Sequence, residues 1–261
     1  MTWNVRRPVP TLRADSPDRW ERRRPVIRAV LQRARPSLLG VQEAMPEQLD
    51  WIVESTGAEW IGRGRDRDGS GEHCAILYDP ARLRVTRWDQ HALSRRPTVP
   101  GSRGWGAALP RIFVVADMVD TATGAAFRVI NTHLDHVSPL ARRRSAELLR
   151  QVARARWGTW RDRLPTVLLG DANAAAGSTP FRILQVELAD AWSVAARRST
   201  PEWRTRSAYR APRPGRRIDW ILASPEIAVD DVAIAAFRLD GRAGSDHDPV
   251  QAVLRLPVRS R

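Results

Sequence analysis

Lysine is missing from this chain altogether: all 43 basic residues are arginine, set against 29 acidic ones. A formal charge of +14 ordinarily argues for a polyanionic partner. Exclusive use of arginine points partly to a compositional habit of the source genome, so it discounts that argument. What survives is that arginine suits bidentate phosphate contacts better than lysine does. The charge is therefore read as an anionic, phosphorylated substrate, against the alternative of a solvated basic surface. Cysteine occurs once, at Cys74 in an apolar run. That rules out an internal disulfide, leaves no Cys/His set suited to zinc and favours a reducing compartment. No apolar run approaches the ~18 residues of a membrane span. Met1 to Val5 read as a strand followed at once by arginine and proline rather than as a signal peptide, so a cytoplasmic location is expected. Repeats and dividing linkers are also lacking, and one domain over residues 1–261, expected to be a monomer, follows.

The stretch that organises the rest is Pro165 to Asn173. Val167, Leu168 and Leu169 follow Thr166 without interruption, the mark of a strand buried on both faces. The strand runs out at Gly170, and Asp171 and Asn173 then stand two positions apart. On an extended chain they project to one side and deliver an acceptor and a donor to the rim of a sheet. The plainer alternative is an Asx turn closing a strand.

Along the chain, Met1 to Val5 predicts a strand ending at Asn4, and Arg19 to Arg35 a helix with Trp20, Ile27, Val30, Leu31 and Ala34 on one face, stopped by Pro36. Ser37 to Gln42 predicts a second buried strand ending at Glu43, and Pro46 opens a helix with Leu49, Ile52 and Val53 inward. Ala58 to Ile61 is a short strand before the Gly-rich loop of residues 62–71. His73 to Tyr78 and Leu83 to Trp88 read as an antiparallel pair around Asp79-Pro80. Asp89 to Pro110 is a long loop, of a length usually functional or disordered. Arg111 to Val119 and Ala126 to Thr132 form a hairpin, and His133 to Val137 leave it. Pro139 to Trp157 predicts an amphipathic helix with Leu140, Leu148, Leu149 and Val152 inward. Ser178 caps a further helix. Arg197 to Arg217 is a second long loop, in which Trp203 and Tyr209 interleave with arginines. Arg217 to Ala223, Ile227 to Ala236 and Pro249 to Leu256 are the last strands. Strands alternating with helices but also pairing as hairpins predict two mixed sheets face to face with helices outside.

Polar residues stand at one end of several separate apolar strands: Asn4, Glu43, His133, Asp171 with Asn173, Asp219, and Asp246 with His247. Singly each has a dull explanation; Asp219, for instance, reads equally as the buried ion-pair partner of Arg217. Together their chemistry is coherent. One or two of Glu43, Asp246 and Asn4 suffice for Mg²⁺, a hard cation that keeps waters. A histidine beside an ionised carboxylate has its protonated form favoured, which suits it to face a phosphate.

The pieces Thr2 to Arg6, Leu39 to Glu43, Glu72 to Tyr78, Asn131 to His136, Gly170 to Asn173, Arg217 to Trp220 and Ser245 to His247 resemble, in order and spacing, the endonuclease/exonuclease/phosphatase superfamily. Ala108-Leu109-Pro110-Arg111 resembles its bacterial branch. The resemblance implies a DNase I-like, four-layer α/β/β/α sandwich with the site between the loop ends of the sheets. It implies Glu43 as principal ligand of Mg²⁺, with Mn²⁺ as a substitute, supported by Asn4 and Asp246. Asp171 orients or deprotonates the attacking water, and Asn173 places the phosphate or Asp171 itself. His247, oriented by Asp219, stabilises charge on phosphoryl oxygens. His133, backed by Glu72, contacts the phosphate on the other side or assists the leaving group. Arg111 is an added phosphate clamp, and His136 is a further substrate-binding candidate. Ala172 departs from the phenylalanine usual at that position, and the opening strand begins at residue 1, so either it is short or the true start lies upstream.

The leading expectation is a phosphodiesterase acting by water attack, with nucleic acid as first substrate because Trp203, Tyr209 and the surrounding arginines could stack bases and hold phosphates. A small or lipid head-group phosphate is the second, the lack of an exposed apolar hairpin counting against lipid. A phosphate-binding module without chemistry is the third, and the intact set of acids and histidines counts against it.

Overall fold

In the computed structural model, which describes residues 1–155, 158–160 and 162–257, the chain opens with β1 (Thr2–Asn4), α1 (Trp20–Ala34), β2 (Leu38–Gln42) and α2 (Pro46–Thr56). Helix α1 ends where Arg35 turns left-handed just before Pro36. Helix α2 begins on Pro46, whose missing N–H costs nothing in a first turn, and ends on left-handed Gly57. Next come β3 (Glu59–Ile61), β4 (Ile76–Tyr78), β5 (Leu83–Ala92), β6 (Ile112–Asp120) and β7 (Ala126–His133). The second half holds α3 (Pro139–Ala153), β8 (Thr166–Asp171), α4 (Thr179–Gln185), β9 (Ala189–Asp190), α5 (Ala191–Val194) and β10 (Arg197–Arg198). Strands β11 (Asp219–Ala223), β12 (Ala228–Ile234) and β13 (Val250–Arg255) complete it.

Two sheets result, seven strands in the order β10-β12-β13-β1-β2-β4-β3 and six in the order β5-β6-β7-β8-β11-β9. Period-two alternation sorts the side chains into layers. From β8, Val167 and Leu169 point between the sheets with Val114, Val129, Ile221 and Ile234, whereas Leu168 points outward with Ile130 and Leu222 against Leu149, Val152 and Phe181 from α3 and α4. On the other side Trp3, Leu39, Val41 and Leu77 pack against Ile27, Leu31, Leu49 and Ile52 from α1 and α2. This is the four-layer α/β/β/α arrangement expected from the alternation of elements.

A polar bolt crosses the inter-sheet core. Asn131 on β7 donates its amide to the carbonyls of Val41 and Ala75 in the facing sheet, at 2.9 and 2.8 Å, and accepts from Gln42 at 2.7 Å. The sheets come close enough because residue 40 is glycine; a Cβ there would run into Leu169 and Asn131. Asn131→Leu removes three buried hydrogen bonds at once, although the Ala75 carbonyl keeps the Val41 N–H and the Gln42 amide keeps Thr2 and Gly40. Urea unfolding should show a loss of about 1–3 kcal/mol, and no measurable loss would contradict the bolt.

Four local readings are corrected. The segments before and after Asp79-Pro80 are both strands but not a pair: β4 pairs with β2 and β3, whereas β5 pairs with β6 in the other sheet. The turn carries the chain from one sheet to the other, and alternation cannot reveal which edge a strand finds. Leu140 is 47% exposed rather than inward, because the buried stripe of α3 starts at Ala141 and runs through Ser145, Leu148, Leu149 and Val152. That helix ends at Ala153; residues 156 and 157, which the predicted helix included, lie outside the described residues. Strand β5 also runs further than expected, to Ala92, and shortens the long loop that follows.

Candidate active site

Three adjacent strands of the six-stranded sheet end in one row. His133 on β7 is register partner of Asp171 on β8, and Asp171 is register partner of Asp219 on β11. All three side chains are therefore delivered by backbone pairing alone. Gly170 makes the row possible: its φ of +148° suits glycine, and a Cβ there would strike the Thr132 carbonyl. Two carboxylates side by side on neighbouring strands repel. The imidazole of His247 offsets this, placing Nδ1 2.9 Å from Asp219 and Nε2 3.8 Å from Asp171.

The seven-stranded sheet supplies the other half. Asn4 ends β1 and Glu43 follows β2, with Glu43 itself at a left-handed φ of +59°. The Asn4 amide nitrogen donates to Glu43 Oε1 at 2.9 Å and to Asp171 Oδ2 at 3.0 Å. Its oxygen accepts the Arg6 backbone N–H at 3.0 Å. Asn4 thus bridges the two carboxylates and turns nitrogen, not oxygen, towards them. Ser245 joins the loop of His247 to the same strand, donating its hydroxyl to the Asn4 carbonyl at 2.6 Å, while the Trp3 indole donates to the His247 carbonyl at 2.9 Å.

The turn after β8 contains both readings of Asp-x-Asn. The Asn173 backbone N–H donates to Asp171 Oδ1 at 2.9 Å, an Asx turn, with Asn173 at a left-handed φ of +46°. Its side-chain amide donates to His133 Nε2 and to the Leu134 carbonyl, both at 3.0 Å. His133 Nε2 also lies 3.5 Å from Asp171.

The electrostatics separate the two histidines. Burial opposes a charge on His247, but Asp219 and Asp171 outweigh it and lift its pKa to about 10. His133 is pushed well below the ordinary value, by burial first and then by Arg111 and His247. It is neutral and accepts the Asn173 N–H. Asp171 is pushed up by burial and by its neighbour Asp219. Burial also opposes ionisation of Glu43, yet the Asn4 hydrogen bond and Arg6, 3.7 Å away, prevail and hold it below the usual value.

Asp171, Asp219 and His247 offer atoms within 4.8 Å of one another, close enough to suggest a cation among them. His247 Nδ1 is hydrogen-bonded to Asp219, so the same trio can also serve as acid–base machinery. Glu43 is the better ligand: ionised, with hard oxygens and a side chain still 16% exposed towards the cleft. Asp246, nearly buried, exerts its charge on Arg6 and His247. An all-oxygen acidic set fits a hard divalent ion and does not suit zinc.

Glu43, Arg65, Glu72, Arg111 and His133 line one narrow cleft. Glu72 does not back His133 as the resemblance implies; its carboxylate is taken by Arg65 and, at 3.5 Å, by Arg7. Arg111 is 5% exposed, donates to His136 Nδ1 at 2.8 Å, and has a buried Nε without a hydrogen-bond partner. Its nearest carboxylate oxygen, on Asp135, lies 3.9 Å off. Arg217 pairs with Asp190 and Glu202, leaving Asp219 to His247. Trp203 packs against the inter-sheet core, and Tyr209 donates its hydroxyl to Asp18 at 2.7 Å. Both aromatics are half-buried and anchored at one end within the fold. Arg6, Arg65 and Asp135 escaped the sequence reading; the Gly-rich loop holding Arg65 and the motif holding Asp135 were the available signals. Among the described residues, no helix is long and apolar enough to cross a membrane.

Residues 1–247 match the family model described as Endonuclease/Exonuclease/phosphatase family. A mannosyl-6-phosphatase from Bacteroides thetaiotaomicron is 29% identical, with 98% of each chain covered and a TM-score of 0.88. An endonuclease/exonuclease/phosphatase family protein of the same organism is 30% identical over 97% of this chain and 95% of its own, with a TM-score of 0.88. D. rerio TDP2, complexed with a single-strand DNA product, shares the fold at 16% identity and a TM-score of 0.73, with 97% of each chain covered. Among curated proteins, none matches the chain.

Proposed function

This chain belongs to the endonuclease/exonuclease/phosphatase family, and from that premise we propose that it is an Mg²⁺-dependent phosphoester hydrolase acting on a small phosphorylated molecule. The observation that carries the chemistry is the buried convergence of Asp171, Asp219, His247, Asn4 and Glu43 from two facing sheets. Asp171, its basicity raised by burial, orients the attacking water and takes its proton. His247, charged and held by Asp219, faces the negative charge that grows on the phosphoryl oxygens. Asn4 fixes Glu43 against Asp171, so the two halves share one geometry. Glu43 with Asp246 would hold the divalent ion, which when bound withdraws charge from a phosphoryl oxygen. Arg111 brings a buried guanidinium with an unused N–H to the cleft beside His133, and a phosphate oxygen satisfies it.

The substrate reading moves from nucleic acid to a small phosphate for two reasons. The aromatics that would stack bases are engaged within the protein. The relatives near 30% identity include a mannosyl-6-phosphatase, whereas the DNA-bound relative supports the fold alone. The test is a panel of sugar 6-phosphates, inositol phosphates, an aryl phosphodiester, plasmid DNA and oligo-RNA, each with Mg²⁺ and with EDTA. Phosphate release from a small monoester, abolished by EDTA, is expected. Cleavage of nucleic acid with small esters untouched would restore the first reading, and no turnover by folded protein would overturn both.

A further inference from the structure

We infer that Arg23, a residue of α1 outside the reacting groups, is a positioning residue that sets the spacing between the two halves of the site; this rests on the hydrolase reading above. Arg23 lies on the face of α1 that carries Ile27, Val30 and Leu31, where a helix packed on a sheet calls for an apolar side chain. It is 1% exposed and, among the described residues, forms no ion pair with a carboxylate. Instead its five N–H groups meet five backbone carbonyls. Nε donates to Asp18 at 3.1 Å; Nη1 to Val5 at 2.6 Å and Gly244 at 3.3 Å; Nη2 to Arg6 at 2.9 Å and Arg7 at 3.1 Å. The Trp20 ring lies 5.4 Å from its guanidinium carbon.

Those carbonyls belong to the segments that present the site. Val5, Arg6 and Arg7 directly follow Asn4, and the Arg6 N–H holds the Asn4 amide oxygen. Gly244 leads into Ser245, Asp246 and His247. One planar fork therefore ties the strand exit that bears Asn4 to the loop that bears Asp246 and His247. Ser245 is a second clasp between the same segments, through its hydroxyl on the Asn4 carbonyl. Burying a guanidinium without a counter-charge is costly. The cost is matched because all five donors find acceptors, a pattern no other side chain reproduces: lysine has three donors and no fork. A residue needed only to fill space beneath α1 would be apolar.

The experiment compares Arg23→Lys with Arg128→Lys. Arg128 is equally buried but pairs with Asp117 away from the row of site residues. Mn²⁺ affinity is read without substrate, from the paramagnetic resonance of the free ion, and kcat and KM on the best ester of the panel. Arg23→Lys should weaken Mn²⁺ binding at least ~5-fold and lower kcat at least ~30-fold, with KM within ~3-fold. Arg128→Lys should lower Tm and leave both readings within ~2-fold. If Arg23→Lys behaves as Arg128→Lys does, the inference is overturned. Should Arg23→Lys fail to fold, Ser245→Ala removes the other clasp and must shift the same two readings; unchanged values there overturn it equally. A wild-type protein that binds Mn²⁺ but hydrolyses nothing defeats the hydrolase reading, while the metal titration still decides the clamp.

Discussion

Asp171→Asn lowers kcat by roughly three to four orders of magnitude and leaves KM within ~3-fold, measured on the best phosphoester with saturating Mg²⁺. The substitution keeps size and shape, so the Asx turn to the Asn173 N–H persists. What it removes is the carboxylate on which both halves converge. Asp171 Oδ2 receives the Asn4 amide at 3.0 Å and lies 3.5 and 3.8 Å from the ring nitrogens of His133 and His247. An amide there cannot take a proton from water. Stability should not fall, because the change also removes a buried charge facing Asp219 across the strand pair. An active Asp171→Asn enzyme, or an inactive one that has merely unfolded, would contradict this role; far-UV circular dichroism and Tm separate the cases.

Glu43→Gln comes next in size. The carboxamide can still accept the Asn4 N–H, which holds the bridge at 2.9 Å in the native chain, but the ionised oxygens are gone. A hard divalent ion depends on that charge. At millimolar Mg²⁺, kcat/KM should drop roughly 10³-fold and the Mg²⁺ needed for half-maximal rate should rise at least ~10-fold. Equal metal dependence in the variant and the native protein would place the ion elsewhere, with the Asp171, Asp219 and His247 trio as the natural alternative.

The fold and the chemistry were legible to different degrees. Layering was readable because buried strands such as Thr166 to Leu169 and amphipathic helices such as α1 carry it in their periodicity. Pairing across Asp79-Pro80 was not, since the same alternation serves a hairpin or a crossover between sheets. The site residues announced themselves as polar groups at strand ends, and register then explains why: His133, Asp171 and Asp219 share one row. Partner assignments were the weak point. Nothing local tells that Arg217 goes to Asp190 and leaves Asp219 to His247, a choice made by sheet order. Glu72 goes instead to Arg65, in the Gly-rich loop just before it, and to Arg7 from the exit of β1. Trp203 and Tyr209 show a related gap, as an aromatic in a basic loop has the same composition whether it waits for a base or is anchored inside.

Everything proposed for the reaction depends on one row of buried groups forcing two histidines into opposite charge states. Histidine-labelled NMR of the metal-free protein reads this without any substrate. His247 should remain protonated from pH 5 to pH 9, because its pKa stands at about 10, while His133 should lose its proton well below the ordinary imidazole value of 6.5. The raised pKa of His247 also means that its charge contributes stability in full below its unfolded value of 6.5, a contribution lost as pH rises through about 10. Two rings that titrate together near 6.5 would show that the carboxylates do not surround His247 as described, and the mechanism would lose its basis.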